Sequence, residues 1–130
     1  MIVVDTSVWV DFFNGKDIGK TNLLEKFLQN EEVIIGDLIM TELLQGFKNE
    51  KDFKTALELL SYLIYKDMLG QQNAIESARN YNYLRKKGVT VRKTIDVMIG
   101  TFCIINKFPL LHNDSDFDCM EKHLKLECIK

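Results

Sequence analysis

The sequence predicts an α/β fold, namely a three-layer α/β/α sandwich around a mainly parallel central sheet. Short strand-like runs that are mostly apolar, at residues 2–4, 33–35 and 110–112, alternate with longer segments whose apolar residues recur at helical spacing. The 130 residues, 46% of them hydrophobic, can bury roughly two thirds of the surface of the unfolded chain. We therefore expect residues 1–130 to form one domain, with functional side chains beyond the carboxyl ends of the strands.

The first strand and helix are indicated at the start of the chain. Residues 2–4 are apolar and precede Asp5, Thr6 and Ser7, which are residue types that cap helices. An aromatic-rich segment with helical spacing follows and ends at Gly15, a residue type that commonly follows the last turn of a helix.

The next elements alternate in the same way. Thr21 can cap a second helix, and residues 33–35 form a second apolar strand. A third helix is expected from residue 37 to about Phe47. Apolar residues from Phe53 to Ile64 recur at helical spacing and predict a fourth helix.

The second half of the chain predicts two more helices and two more strands. One helix covers Ala74 to Arg85 and ends at Gly88, and a strongly apolar helix covers residues 94–106. Residues 110–112 and 126–129 are the expected strands.

Composition and charge exclude several classes of protein. No window approaches 18 uninterrupted apolar residues, and the N-terminus lacks the basic and apolar regions of a signal peptide, so we expect a cytoplasmic protein. The odd cysteine count without C-x-x-C spacing predicts reduced thiols rather than a zinc or disulfide framework. The 17 basic and 19 acidic residues give a net charge of −2, without the basic excess typical of nucleic-acid binding.

Three acidic residues follow predicted strands. Asp5 comes directly after the first strand, and Asp114 and Asp116 follow the strand that ends near His112. Because parallel strands end at the same edge of a sheet, these side chains are expected to lie close together.

Asp96 is the only charged residue between Ile95 and Asn106. A helix that is apolar on nearly all sides is buried. An unpaired carboxylate buried there lowers the free energy of unfolding by roughly several kcal/mol. We therefore expect a cationic partner for Asp96. The alternative is an aspartate stabilised by the free amides at the helix N-terminus alone.

Glu42 falls on the polar side of the third predicted helix, opposite Ile39, Leu43 and Phe47. Taken alone, this position is typical of a solvated helix glutamate.

Other chemistries find little support. An EF-hand loop that began at Asp114 would need Gly where Cys119 stands and Glu where Lys125 stands. No G-x-S-x-G, P-loop or G-x-G-x-x-G occurs, and His112 and His123 have no evident nucleophile partner. The remaining carboxylates suit Mg²⁺ or Mn²⁺, ions that usually act on phosphates.

Four segments together resemble the PIN-domain ribonucleases, and specifically the VapC toxins of toxin–antitoxin pairs. The segment at 3–9 resembles the hydrophobic-D-[TS]-[SN] start of the family, and 41–46 its E-x-x-x-G helix. The segment at 94–100 resembles its D-x-x-I-[AG] helix, and 112–117 its closing T-x-D-x-D-F turn, with His112 in the threonine place. The four occur in order from one end of the chain to the other.

The resemblance implies a metal-dependent endoribonuclease that cleaves RNA phosphodiesters with a metal-activated water. It implies that Asp5, Glu42, Asp96 and one or both of Asp114 and Asp116 surround Mg²⁺ or Mn²⁺. Asp5 and Asp96 would then be the direct ligands, and Glu42 would hold a metal-bound water or a second ion.

Further residues would support this site. Thr6, Ser7 and Asn113 could order waters or ligands around the carboxylates. A group of basic residues that precedes Asp96 in the chain could receive the RNA backbone beside the acidic pocket; its members are Arg85, Lys86, Lys87, Arg92 and Lys93.

The resemblance also implies partners. These are an RNA substrate such as tRNA or rRNA, a cognate VapB-type antitoxin whose C-terminal segment covers the acidic site, and a second copy of the chain in a homodimer.

Three other functions stay open on the sequence. A phosphoacceptor receiver domain has similar length and a Mg²⁺ pocket, although here Asp5 is followed by Thr6 and Ser7 instead of belonging to an acidic pair. A PIN-like nuclease that cuts DNA or specific nucleic-acid structures would share the acidic set. A non-catalytic scaffold would keep the fold without needing that set.

Overall fold

A four-stranded, all-parallel sheet organises the protein, as described by a computed structural model of residues 1–130. The strands are β1 (Ile2–Val4), β2 (Val33–Gly36), β3 (Ile64–Lys66) and β4 (Leu110–Leu111), in the spatial order β3-β2-β1-β4. The predicted three-layer α/β/α class is confirmed.

Seven helices flank the sheet. They are α1 (Thr6–Phe13), α2 (Gly19–Gln29), α3 (Asp37–Leu44), α4 (Glu50–Ser61), α5 (Gln71–Lys86), α6 (Thr94–Asn106) and α7 (Asp118–Leu124). A short 3₁₀ turn, Ser115–Phe117, lies between β4 and α7. None of these helices combines the length and the apolar character that crossing a bilayer requires.

The core is built on the two central strands. Every residue of β1 and β2 is buried, as expected for strands covered by helices on both faces. In the register of the sheet, Val3 of β1 lies opposite Ile34 of β2 on one side and Leu110 of β4 on the other. Trp9 from α1 and Phe117 are among the largest side chains that are completely buried around this sheet.

Some predicted element boundaries are wrong. The fourth helix is expected to reach Ile64, but Ile64 begins β3, because α4 ends at Ser61 and the next residues pair with β2. The third helix ends at Leu44 rather than near Phe47. The expected strand at 126–129 is a single parallel bridge between Leu110 and Cys128. Helix α7 is not predicted by the sequence pattern.

Thr21 stabilises the start of the second helix, although it lies within the first turn and not at the capping position. The helix begins three residues earlier than expected, at Gly19 with Ile18 as the capping residue, and Thr21 Oγ1 accepts a hydrogen bond from Ile18 N at 3.1 Å. The same hydroxyl lies 2.7 Å from Lys16 O, to which it donates.

Contacts between α5 and α6 position the long apolar helix. Asn73, buried on α5, donates from Nδ2 to Met98 O at 3.2 Å, and Asn80 donates to Thr101 Oγ1 at 2.9 Å. Helix α7 packs on α6 at Gly100, where a Cβ atom would overlap the end of the Met120 side chain. These contacts hold α6 in place, and with it the aspartate in its first turn.

Gly36 provides a test of the packing at the carboxyl end of β2. A Cβ atom there would overlap the side chain of Met68, which is 1% exposed, and would lie 3.0 Å from Lys66 O. Because neither neighbour can move into open space, we expect Gly36→Ala to lower the free energy of unfolding by about 1–3 kcal/mol. Urea denaturation followed by circular dichroism measures this change.

Gly19→Ala is the matched control. Gly19 begins α2, and a Cβ atom added there would have no neighbouring atom within 4 Å. Alanine should therefore leave stability unchanged or raise it by up to about 1 kcal/mol. Equal stabilities for the two variants would contradict the close approach at Gly36.

Candidate metal centre

The acidic residues come from four different elements that meet at one edge of the sheet. Asp5 follows β1, and Asp114 lies three residues beyond β4. Glu42 lies on α3, the helix that follows β2, and Asp96 lies in the first turn of α6. Because all four strands are parallel, their carboxyl ends share this edge, which is where sites form in such sheets.

Asp5 is held firmly by its neighbours. Its backbone N donates to Leu111 O at 2.9 Å, which extends the pairing of β1 with β4 by one residue. Its Oδ2 accepts hydrogen bonds from Ser7 N at 3.0 Å and Ser7 Oγ at 2.7 Å. Burial raises the pKa of Asp5 above its usual value, although the bonds from Ser7 favour the charged form. The side chain is therefore fixed in place but incompletely stabilised as an anion.

Glu42 turns toward this group. Its Oε1 accepts a hydrogen bond from Thr6 Oγ1 at 2.9 Å, which links α3 to the first residue of α1. Burial raises the pKa of Glu42, the bond from Thr6 lowers it, and the charges of Asp5 and Asp114 raise it further. The structure therefore places Glu42 near the other carboxylates, and not as the solvated glutamate that the helix pattern alone indicates.

Asp96 is the least satisfied member of the group. It is 4% exposed, and its buried Oδ2 has no hydrogen-bond partner. Burial raises the pKa of Asp96 to about 7; nearby Lys93 lowers it, whereas the charges of Asp5, Asp114 and Glu42 raise it further. The predicted cationic partner is Lys93, whose Nζ lies 3.6 Å from Asp96 Oδ2. That distance exceeds a normal hydrogen bond.

Asp114 and Asp116 have different surroundings. Asp114 Oδ1 accepts a hydrogen bond from Asp116 N at 2.9 Å and so caps the 3₁₀ turn, while Asp114 Oδ2 lies 3.7 Å from Lys93 Nζ. Asp116 Oδ1 accepts two hydrogen bonds from Arg92, at 2.7 and 3.1 Å. One oxygen from each of Asp96, Asp114 and Asp116 lies within 4.8 Å of the other two.

The turn after β4 is anchored to α1. Asn113 N donates to Ser7 Oγ at 2.9 Å, and Asn113 Nδ2 donates to Asp11 Oδ2 at 3.1 Å. His112 is buried, and its Nδ1 accepts a hydrogen bond from Asp114 N at 3.2 Å. The histidine thus fixes the backbone of Asp114 where the family pattern has threonine.

The predicted basic cluster divides into two parts. Arg92 and Lys93 pair with acidic side chains of the site. Arg85 lies over the ring of Tyr81 and Lys87 over that of Tyr83, near the end of α5, and Lys86 is exposed beside them.

Two contributions are not predicted by the sequence. Asp11 is buried and pairs with Lys16 at 3.1 Å, so it acts as the anchor for Asn113. The one hint in the sequence is that Asp11 interrupts the aromatic-rich segment of α1. Lys93 belongs by sequence to the possible RNA contacts, although its spacing of three residues before Asp96 allows an ion pair on one helix face.

The donor set fits a divalent metal ion. The available ligands are all carboxylate oxygens, which suit Mg²⁺ or Mn²⁺. A buried oxygen without a partner, as found at Asp96, costs free energy until a cation or donor reaches it. A divalent ion would satisfy this oxygen and relieve the repulsion among the neighbouring carboxylates.

Comparisons with known proteins agree with this geometry. Residues 2–122 match the family model described as PIN domain. "VapC ribonuclease Mb1587" of Mycobacterium bovis is 28% identical over 132 residues, covering 98% of this chain and 96% of the relative. "Ribonuclease VapC11" of Mycobacterium tuberculosis matches to the same extent.

Solved structures show the same fold. The chain is similar to one in a crystal structure of VapBC2 from Rickettsia felis bound to promoter DNA, with a TM-score of 0.79, 21% identity and coverage of 99% of this chain and 98% of that chain. A chain of the DNA-bound VapBC from Salmonella typhimurium gives 0.77 at 20% identity, with 99% and 98% coverage. The family resemblance carried by the four motifs is confirmed, and the chain belongs to the PIN domain family.

Proposed function

We propose that the protein is a metal-dependent endoribonuclease and acts as the toxin of a toxin–antitoxin pair. The observation that carries the proposal is the buried, unpartnered Oδ2 of Asp96 within a cluster of carboxylates from four elements. Membership of the PIN family and relatives named as ribonucleases support the reaction class. Because the chain belongs to the PIN family, the acidic pocket no longer suggests a phosphoacceptor receiver domain.

Asp5 and Asp96 are the proposed direct ligands of the ion, and Mg²⁺ or Mn²⁺ is the proposed cofactor. Both side chains are nearly fully buried, so they cannot rotate freely away from the site. When bound, the ion would lower the pKa of a coordinated water and neutralise charge on the phosphoryl oxygens.

Glu42 is suited to handle a proton in the same site. Thr6 fixes its Oε1, which leaves Oε2 available to accept a proton from an attacking water. The raised pKa of Glu42 makes it a better base than an exposed glutamate. Thr6 and Ser7 therefore act by orienting Glu42 and Asp5, and Asn113 acts by tying the closing turn to Ser7.

We propose Asp114, rather than Asp116, as the fourth acid. Asp114 Oδ2 lies 3.7 Å from Lys93 Nζ, the same ammonium that lies 3.6 Å from Asp96 Oδ2, and its charge raises the pKa of Asp5, Glu42 and Asp96. Asp116, by contrast, accepts two hydrogen bonds from Arg92, both at its Oδ1. Its proposed role is to hold the closing turn against the segment that precedes α6.

The RNA backbone is proposed to approach along the basic side of the pocket. A cavity of about 160 Å³ lies beside Asp96, between the segment at 89–93 and the turn and helix at 115–120. Arg92 and Lys93 line it. Arg85, Lys86 and Lys87, at the end of α5, could extend this surface for further phosphates.

The proposed partners follow from the relatives and the family. Several similar structures are VapBC complexes, which supports a VapB-type antitoxin as partner. A homodimer is the proposed assembly, and a tRNA or rRNA is the proposed substrate. The three unpaired cysteines and an RNA substrate suit the cytoplasm as the place of action.

Asp5→Asn and Asp96→Asn test the activity. Each removes one charged ligand, so we expect cleavage to fall by about 100-fold or more, beyond the loss typical of a residue that only orients a ligand. The purified proteins are incubated with total cellular RNA in Mg²⁺, in Mn²⁺ and in chelator, and the fragment ends are mapped.

Asp52→Asn is the control for that experiment, because Asp52 is an exposed aspartate on α4. It should cut at the parental rate and at the same sites. Cutting of duplex or flap DNA but not RNA would favour a DNA-directed PIN-like nuclease. Undiminished RNA cleavage by the Asp5 and Asp96 variants would sink the proposal.

Asp96→Asn should also change stability in a pH-dependent way. The pKa of Asp96 is about 7 in the folded protein against 3.8 ordinarily, so wild-type stability without metal is lost as the pH rises through this range. The variant should gain on the wild type from about pH 4 to pH 7 and keep a higher Tm above it. Mn²⁺ should raise the Tm of the wild type and leave that of the variant nearly unchanged. Differential scanning calorimetry measures both effects, and a pH-independent difference would contradict the assignment.

Asp114→Asn and Asp116→Asn separate the two candidates for the fourth acid. We expect the first to lower cleavage at least about tenfold more than the second, because Asp114 is a proposed ligand, whereas Asp116 is proposed to pair with Arg92. Arg92→Gln should reproduce the smaller effect of Asp116→Asn, since both changes break the same ion pair. The reverse order of cleavage rates would assign the fourth acid to Asp116.

A further inference from the structure

We propose that the ammonium group of Lys93 is a displaceable cation that holds the metal site together in the metal-free protein and leaves when a divalent ion binds. Lys93 is then a positioning residue that competes with the metal, so that the cost of displacing it lowers the apparent metal affinity. The inference rests on the metal site of the proposed function, but it does not depend on the nucleic acid that is cut.

The position of Lys93 carries the first step. Its Nζ lies 3.6 Å from Asp96 Oδ2 and 3.7 Å from Asp114 Oδ2, so one ammonium bridges two carboxylates from different segments. The charges of Glu42 and Asp5 also favour the protonated lysine. Lys93 is therefore the cation that the acidic cluster attracts when no metal is bound.

The contact is an incomplete one. Asp96 Oδ2 is buried and still has no hydrogen-bond partner, because the ammonium stays beyond hydrogen-bond distance. The side chain of Lys93 is 50% exposed, whereas that of Asp96 is 6% exposed. The lysine reaches the cluster from the solvent side and can move back into water without disturbing the core.

Electrostatics favour exchange for a divalent ion. Mg²⁺ carries two charges and binds oxygen at about 2.1 Å, while the ammonium carries one charge at 3.6 Å. At equal dielectric, the attraction per carboxylate is roughly three times larger for the ion. A bound ion and the ammonium of Lys93 would also repel each other, which favours release of the lysine to solvent.

Arg92 shows the contrast within the same segment. Its guanidinium makes two hydrogen bonds to Asp116 Oδ1, at 2.7 and 3.1 Å, and forms no hydrogen bond or ion pair with Asp96 or Asp114. That pair can persist when a metal binds, because Asp116 is not among the proposed ligands. Lys93 alone bridges the carboxylates that the ion would take.

Lys93→Gln tests the inference by direct metal titration. Without the competing ammonium, Mn²⁺ should bind about three- to tenfold more tightly, in calorimetric titrations at fixed pH and ionic strength. Lys54→Gln is the matched control, because it removes the same charge from an exposed site on α4 and should change the Kd by less than about twofold. Unchanged or weaker Mn²⁺ binding by Lys93→Gln would overturn the inference.

A second measurement follows the ammonium itself. In protein with ¹⁵N-labelled lysine, the Nζ signal that disappears in Lys93→Gln identifies Lys93. Saturating Mg²⁺ should move this signal to the position and proton-exchange rate of an exposed lysine. A Lys93 signal that Mg²⁺ leaves unchanged would show that the lysine stays, and would overturn the inference even if RNA is cut. Displacement by Mg²⁺ without RNA cleavage would support it while contradicting the proposed activity, and a wild-type protein that binds neither ion would overturn both.

Discussion

Mutual repulsion among buried carboxylates is the constraint on which the rest of the structure depends. Asp5 and Asp96 are nearly fully buried, and Glu42 and Asp114 are close enough to influence their protonation. Such a group opposes folding unless donors, a cation or protons compensate its charge. Hydroxyls from Thr6 and Ser7 and the ammonium of Lys93 compensate only part of it.

The sheet makes this arrangement possible. Pairing of β1 with β4 places Asp5 beside the turn that carries Asp114, and the bond from Asp5 N to Leu111 O fixes that relation. Contacts of α6 with α5 and α7 hold Asp96 in place from the other side. The apolar core thus supplies the stability that the acidic edge lacks without metal, which is a common compromise at functional sites.

The sequence is most informative where a charged residue stands next to or within an apolar segment. Asp96 stands out because it interrupts an apolar helix, and Asp5 because it directly follows a buried strand. Helix α6 has the bounds that the sequence predicts. The edge strand β3 escapes prediction because Ile64 continues the helical spacing of α4, and the three exposed residues of β3 become a strand only by pairing with β2. The role of Lys93 is also out of reach, since its contact with Asp114 joins segments 21 positions apart.

The most direct test of this account is crystallographic. Crystals of the protein soaked in Mn²⁺ would be measured near the manganese absorption edge, so that an anomalous difference map locates the ion. We predict one strong peak within bonding distance of carboxylate oxygens of Asp5 and Asp96. Asp114 should lie next to the ion, and the Lys93 side chain should point to solvent. A map with no peak at this edge of the sheet, or with a peak held only by exposed acidic residues elsewhere, would contradict it.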